Sequence, residues 1–93
     1  MANSSDDGRL SATELSQAAL TTVEELTGYE PEAVTAVEWD GEFWQITVDV
    51  LEFSRIPNST DMIGSYVVQL DEQGTLRGYR RTSRFVRGQA SGE

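Results

Sequence analysis

The chain has 93 residues, of which 38% are hydrophobic and 25% charged, and its net charge is −9. This length and composition predict one small globular domain and leave little room for a second hydrophobic core. The chain contains neither cysteine nor histidine, which excludes disulfide bridges, thiolate metal sites, histidine as a general base and cysteine as a nucleophile.

The N-terminal segment, residues 1–10, is mostly small and polar, and we expect it to be a disordered tail. It lacks the basic start and apolar run of a signal peptide. Elsewhere charged residues interrupt every apolar stretch long before the ~20 residues that span a bilayer. We therefore expect a cytoplasmic protein that is not embedded in a membrane.

A helix is predicted over residues 12–27. Ser11 and Glu14 have the spacing of a capping box, in which each residue binds the other's backbone N–H. Gly28 supplies a left-handed residue at the other end, and Pro31 prevents the helix from resuming. Small or apolar residues recur at helical spacing and predict the face that packs on the rest of the domain: Leu15, Ala18, Ala19, Thr22, Val23 and Leu26.

Three segments rich in strand-forming residues follow the helix. The first, residues 33–39, is joined to the second by Asp40-Gly41, a strong hairpin signal. In the second strand Trp44, Ile46, Val48 and Val50 alternate with more polar residues, which predicts one apolar face directed at the helix. The third strand, residues 64–70, places Tyr66, Val68 and Leu70 on one side.

A fourth strand is predicted over residues 75–81, after a tight turn at residues 71–74, with Gly78 as the expected bulge. Residues 55–61 contain a proline and several small polar residues and predict the longest internal loop. The sequence thus predicts an α+β fold with one N-terminal helix packed on a three- to four-stranded antiparallel meander. We expect the domain to span residues 11–87 and residues 88–93 to form a disordered tail.

No catalytic or cofactor site is predicted. Gly74 and Gly78 lack the lysine and hydroxyl partner of a phosphate-binding loop. Glu38, Asp40 and Glu42 cluster at a hairpin tip, which a solvated turn explains better than acid–base chemistry, and their spacing does not match a calcium-binding loop. We therefore expect no catalytic residue, cofactor or metal ion.

Charge is unevenly distributed along the chain. Residues 1–72 contain fifteen acidic residues and two arginines, whereas residues 73–93 contain five arginines and one glutamate. Arginine forms planar, bidentate pairs with carboxylates and phosphates, so three interpretations stay open. They are internal pairing with the acidic body, docking of an acidic protein surface, and nucleic-acid binding. The net charge of −9 repels a polyanion, so we rank nucleic acid last.

Several separated motifs give the chain a resemblance to a known family. The most specific are Glu52 with Arg55-Ile56-Pro57, and Tyr79-Arg80-Arg81 with Arg84-Phe85-Val86-Arg87. Over about residues 12–88 the chain resembles the gas vesicle protein O family, accessory proteins of gas vesicle synthesis. Phe85 stands where we expect the family to have tyrosine, and Gly64 where we expect alanine.

The resemblance implies a non-enzymatic accessory protein in gas vesicle synthesis or assembly, associated with gas vesicles or their assembly intermediates. It implies contacts with other gas vesicle proteins, either shell or accessory proteins, and no cofactor. The alternative is a regulatory protein of gas vesicle gene expression that contacts nucleic acid through the C-terminal arginines. A homodimer formed through an open sheet edge is a further alternative that the sequence leaves open.

Our hypothesis for the site is one recognition surface formed by two segments. They are the loop at residues 55–61, here called the proline loop, and the arginine-rich end of the chain at residues 77–87. In it, Glu52 and Asp61 orient Arg55 and some of the arginines at positions 80, 81 and 84, which lowers the ordering cost of binding an acidic partner. The predicted protein-binding residues are Arg55, Ile56, Pro57, Asp61, Tyr79, Arg80, Arg81, Arg84, Phe85 and Arg87.

Overall fold

The computed structural model describes residues 10–89. One helix precedes four strands: α1 (Ala12–Thr27), β1 (Glu30–Trp39), β2 (Trp44–Phe53), β3 (Met62–Leu70) and β4 (Leu76–Val86). Short 3₁₀ helices cover Asn58–Thr60 and Arg87–Gln89. The strands form one antiparallel sheet in the order β1-β2-β3-β4, which confirms the α+β prediction and settles the number of strands in the described part of the chain.

Helix α1 begins and ends where the sequence predicts. The capping box is formed: the Glu14 N–H donates to Ser11 Oγ at 3.1 Å, and the Ser11 N–H donates to Glu14 Oε1 at 2.8 Å. Gly28 ends the helix with a φ of 76°, a conformation that disfavours residues with a Cβ. The expected position of Leu26 in the packed face is wrong, because this side chain is 41% exposed. The fully buried helix residues are Leu15, Ala19 and Val23, and Leu26 follows them in the last turn, one residue before the helix ends at Thr27.

The core lies between the helix and one face of the sheet, here called the helix face. Ile46, Val48 and Val50 of β2 and Val68 and Leu70 of β3 are fully buried in it. The predicted alternation in both strands is therefore confirmed. The intervening residues, such as Thr47 and Val67, belong to the opposite face by the same alternation.

Strand β1 is longer than predicted and begins at Glu30 rather than residue 33. It includes Pro31, which an edge strand tolerates because one side of its backbone has no ladder to complete. The hairpin to β2 has a four-residue loop, not a two-residue turn. Asp40 Oδ1 accepts hydrogen bonds from the Glu42 and Phe43 N–H groups at 2.8 Å each, and this side-chain bridge stabilises the wider loop.

Strand β4 also exceeds its predicted bounds, since it continues to Val86 rather than ending at residue 81. Two register shifts leave Arg77 and Thr82 of β4 without a pairing partner in β3. The first shift adjoins Gly78, the expected bulge. Each extra residue changes the phase of the strand, so simple alternation along the sequence could not assign the faces of the arginines.

The ends of the described chain are more ordered than expected at three positions. Leu10 packs against the core, and Gly88 and Gln89 belong to the second 3₁₀ helix. A Cβ at Gly88 would lie 2.6 Å from the carbonyl oxygen of Ser59, so the chain passes close to the proline loop there. The rest of both predicted tails, residues 1–9 and 90–93, lies outside the described residues. Within residues 10–89 no helix is long and apolar enough to cross a membrane.

Candidate protein-binding surface

A buried carboxylate organises the end of the helix face beyond Val50. The Glu52 side chain is only 1% exposed, and it forms ion pairs with Arg81 and Arg84 of β4. Arg81 Nη1 lies 3.3 Å from both carboxylate oxygens, and Arg84 Nε lies 3.0 Å from Oε1. The two arginine side chains remain 45% and 42% exposed. We call this arginine pair, held by one carboxylate, the arginine clamp.

Gly64 makes room for this carboxylate. It lies in β3 directly between Val50 of β2 and Arg84 of β4. A Cβ added at Gly64 would collide with Glu52 Oε2 and would lie 2.7 Å from the carboxylate carbon. Glycine instead of the expected alanine at position 64 therefore leaves the space that the Glu52 carboxylate occupies beside the two arginines.

The clamp carries a surplus of positive charge. A buried carboxylate is tolerated when ion pairs and hydrogen bonds replace its hydration, and here two guanidinium groups neutralise one carboxylate. The ion pairs of Arg81 and Arg84 are made through Nη1 and Nε respectively. Each guanidinium group carries five N–H donors, so further donors can bind a carboxylate from outside.

Two tyrosines border the clamp. The Tyr66 hydroxyl lies 3.5 Å from Glu52 Oε2. Burial raises the pKa of Tyr66 above the usual 10.0, and the negative charge of Glu52 raises it further, while Arg81 opposes the shift. The Tyr79 ring centroid lies 6.4 Å from that of Tyr66, and Tyr79 is 44% exposed. Tyr79 thus extends the clamp with an accessible aromatic surface.

An exposed apolar patch adjoins the clamp on its other side. Phe53 is 53% exposed, and Ile56 in the proline loop is fully exposed. The guanidinium carbons of Arg55 and Arg84 each lie 5.9 Å from the Phe53 ring centroid, within cation–π distance. Sequence reasoning missed Phe53. The sequence feature that could have indicated it is its position directly after Glu52, at the end of a strand with alternating apolar residues.

Asp61 anchors the proline loop, but not in the predicted way. It is 4% exposed, and its Oδ1 accepts the backbone N–H of Arg55 at 2.7 Å. Its Oδ2 accepts a hydrogen bond from Arg87 Nε at 3.2 Å. Arg87 Nη2 also forms an ion pair with Glu32 Oε2 of β1 at 2.6 Å. The hydrogen bond to Glu32 is the main cause that raises the pKa of Arg87. Asp61 therefore positions the backbone of Arg55 rather than its guanidinium group, and Arg87 joins the C-terminal turn to β1.

The ten predicted binding residues do not share one surface. Arg80 pairs with Val67 in the register, and Phe85 pairs with Ile63, so both lie on the face opposite the helix, away from Arg81 and Arg84. Neighbouring residues of a strand point to opposite faces, which separates Arg80 from Arg81. Arg80 is exposed and has no ion pair within residues 10–89.

Three of the predicted residues do come together at the clamp end of the helix face, and Tyr79 adjoins them. The three are Arg55, Arg81 and Arg84, and a fourth, Ile56, directly follows Arg55 in the chain. We call them, together with Phe53, the clamp surface. Internal pairing, one of the three interpretations of the basic end, is observed for Arg81, Arg84 and Arg87. Arg77 instead lies 5.9 Å from the Phe43 ring centroid.

The polar groups of the described residues are satisfied internally. Within residues 10–89 every buried side-chain nitrogen and oxygen has a hydrogen-bond partner. In the same range no three Asp or Glu side chains are grouped so that they could hold a metal ion. The accessible chemistry of the clamp surface is therefore guanidinium N–H donation together with aromatic and aliphatic contact.

Comparison with known proteins agrees with the resemblance noted in the motifs. The family model described as "Gas vesicle synthesis protein GvpO" matches residues 1–91. Gas vesicle protein O of Streptomyces sp. (strain CB03234) is 44% identical over 66 residues, which cover 71% of this chain and 52% of the relative. Gas vesicle protein O of Haloferax mediterranei is 30% identical over 89 residues, which cover 95% of this chain and 64% of the relative.

A third relative, gas vesicle protein O1 of Halobacterium salinarum, is 32% identical over 65 residues, which cover 70% of this chain and 55% of the relative. The matched segments thus span between about half and two thirds of these curated relatives. No solved structure matches the chain significantly. The family match over nearly the whole chain, together with these relatives, shows that the chain belongs to the gas vesicle protein O family of gas vesicle synthesis proteins.

Proposed function

We propose that this protein is a non-enzymatic accessory protein of gas vesicle synthesis that acts by contacting other gas vesicle proteins. Its partners are shell or accessory proteins, and it acts in the cytoplasm on gas vesicles or their assembly intermediates. Membership of the gas vesicle protein O family supports the pathway. The clamp surface supports the mode of action.

The observation that carries the proposal is the exposed arginine clamp beside exposed apolar side chains. Binding energy in protein interfaces concentrates on aromatic and arginine residues that are held in place before binding. The clamp arginines are held by the buried Glu52, and Phe53 and Ile56 are 53% and 100% exposed. A large apolar side chain that is this exposed next to oriented arginines is typical of a binding surface.

The same contacts count against chemistry at this site. Glu52 is engaged by two guanidinium groups, and Asp61 by Arg87 and a backbone N–H. Both carboxylates are thereby occupied rather than presented to a substrate. A general acid or base must reach the reacting proton directly or through one water.

The experiment is a pairwise binding assay between the purified chain and each gas vesicle protein encoded beside it. Wild type is compared with the double variant R81Q/R84Q and with R80Q, a matched control on the opposite face. We expect at least one gas vesicle protein to bind wild type and R80Q equally, and the double variant to bind about tenfold more weakly or worse. Circular dichroism checks that all three proteins fold.

The regulatory alternative is tested in the same series. A gel-shift assay with duplex DNA is run at low and at physiological salt, because phosphate contacts weaken steeply as salt rises. Our proposal expects no shifted band, since the protein carries a net charge of −9. DNA binding that is strongly salt-dependent, combined with no binding to any gas vesicle protein, would replace it with the regulatory function.

A further inference from the structure

We infer that the clamp surface binds an acidic extended segment of a partner gas vesicle protein, in which a carboxylate stands next to an apolar side chain. The carboxylate binds Arg81 and Arg84, and the apolar neighbour packs on Phe53 and Ile56. This inference rests on the proposed function and names the chemistry of the segment that the surface recognises.

The local charge selects an acidic ligand. The clamp has two guanidinium groups for one buried carboxylate, and the guanidinium group of Arg55 lies beside the same Phe53 ring. This corner is thus positive on a protein whose net charge is −9. An acidic segment is repelled by most of the molecule and attracted here, so the surrounding field favours its approach to this corner.

Glu52 prepares the clamp for such a ligand. Binding a flexible arginine costs the entropy of ordering its side chain. Gly64 leaves space for Glu52 against the sheet, and the Glu52 side chain is 1% exposed, so its surroundings restrict it. Because each arginine is paired with this restricted carboxylate, its guanidinium group has fewer orientations open to it. A carboxylate that arrives from solvent therefore meets donors that are already oriented.

The apolar patch explains why the ligand must carry more than charge. Phe53 and Ile56 are the two most exposed large hydrophobic residues among those described. Covering them removes apolar surface from water, which favours binding. It also excludes water from the clamp and thereby strengthens the carboxylate–guanidinium attraction. An aromatic or aliphatic residue next to the ligand's carboxylate provides both effects.

The test uses overlapping twelve-residue peptides that cover the gas vesicle proteins encoded beside this chain. They are probed with the full-length chain as wild type and as variants of both parts of the surface. Peptides with Asp or Glu next to an aromatic or aliphatic residue should give the strongest signals. Binding of these peptides should fall about tenfold or more in R81Q/R84Q and also in F53S/I56S, and it should stay within about twofold in R80Q.

A conservative variant keeps the test decisive if the glutamine variant does not fold. R81K/R84K retains both positive charges near Glu52 but loses the planar fork of donors. We expect it to fold and to bind the acidic peptides several-fold more weakly than wild type. Unchanged binding in a folded R81K/R84K protein would overturn oriented guanidinium recognition.

The outcomes separate this inference from the proposed function. If full-length gas vesicle proteins bind but no peptide does, or the bound peptides are not acidic, the protein-contact function stands and the acidic-segment inference is wrong. If no gas vesicle protein binds at all, the proposed function itself is wrong. A salt-dependent dimer in sedimentation experiments that disappears in R81Q/R84Q would assign the clamp surface to a second copy of this chain instead.

Discussion

The two ends of the helix face are stabilised by different physics. At one end Leu15 of the helix, Ile46 and Leu70 are fully buried in an apolar core. At the other end the buried groups are the carboxylates Glu52 and Asp61, which are held by arginines. Apolar packing is nondirectional and tolerates rearrangement, whereas an ion pair needs matched partners at defined distances. The apolar end therefore supplies most of the stability, and the charged end supplies an exposed, oriented surface.

The largest effect is expected from opening a cavity at the apolar end. Leu15→Ala removes a fully buried side chain and should lower the free energy of unfolding by about 2–5 kcal/mol, measured by urea denaturation. Leu26→Ala is the matched control on the same helix, because Leu26 is 41% exposed. Similar losses from both substitutions would show that the helix does not pack on the sheet as described.

A smaller loss is expected when the carboxylate at the charged end is neutralised. Glu52→Gln leaves two arginines without their counter-charge, but both are more than 40% exposed and can be rehydrated. We expect the free energy of unfolding to fall by about 1–3 kcal/mol. Glu38→Gln, at an exposed position of β1, should change it by less than about 0.5 kcal/mol. Equal effects would mean that the clamp contributes no stability.

The role of Gly64 can be isolated by a double-mutant cycle. Gly64→Ala places a methyl group against the Glu52 carboxylate and should destabilise the protein by about 1–2 kcal/mol through overpacking. In a Glu52→Ala background the same substitution meets no carboxylate and should cost less than half as much. A cost that is independent of residue 52 would place the strain elsewhere.

The smallest effect concerns the response to alkaline pH. The folded protein raises the pKa of Tyr66 above the usual 10.0, so the unfolded chain loses this proton first as pH rises. The stabilisation is fully present below pH 10 and is lost as pH increases through the folded pKa. Tyr66→Phe should therefore flatten the loss of stability that urea denaturation measures as pH rises above 10. A loss as steep as that of wild type in this variant would contradict the prediction.

The apolar end could be read from the sequence because its signals are local. The capping box at Ser11 and Glu14, the left-handed Gly28 and the alternation through Ile46 and Val48 each lie within a few residues. Their periods match the helix and the strand directly. Leu26 was misplaced because helical spacing assigns a residue to a face but does not show where along the helix the contact with the sheet ends.

The charged end could be predicted only in part. The contrast between the acidic body and the basic end of the chain predicted arginines that pair with carboxylates as one interpretation. The assignment of Arg80 and Phe85 to the same surface as Arg81 was wrong, because two bulges in β4 set the phase of that strand. The Glu32–Arg87 pair joins residues 55 positions apart, and no local pattern records such a distance.

Short-range periodicity and residue identity at separated motifs were enough to predict the helix, the meander, the apolar core and the family to which the chain belongs. They could not predict which arginines meet Glu52, why position 64 is glycine, or that Phe53 adjoins the clamp. Those relations depend on strand register and bulges, which bring distant residues within a few ångströms of each other.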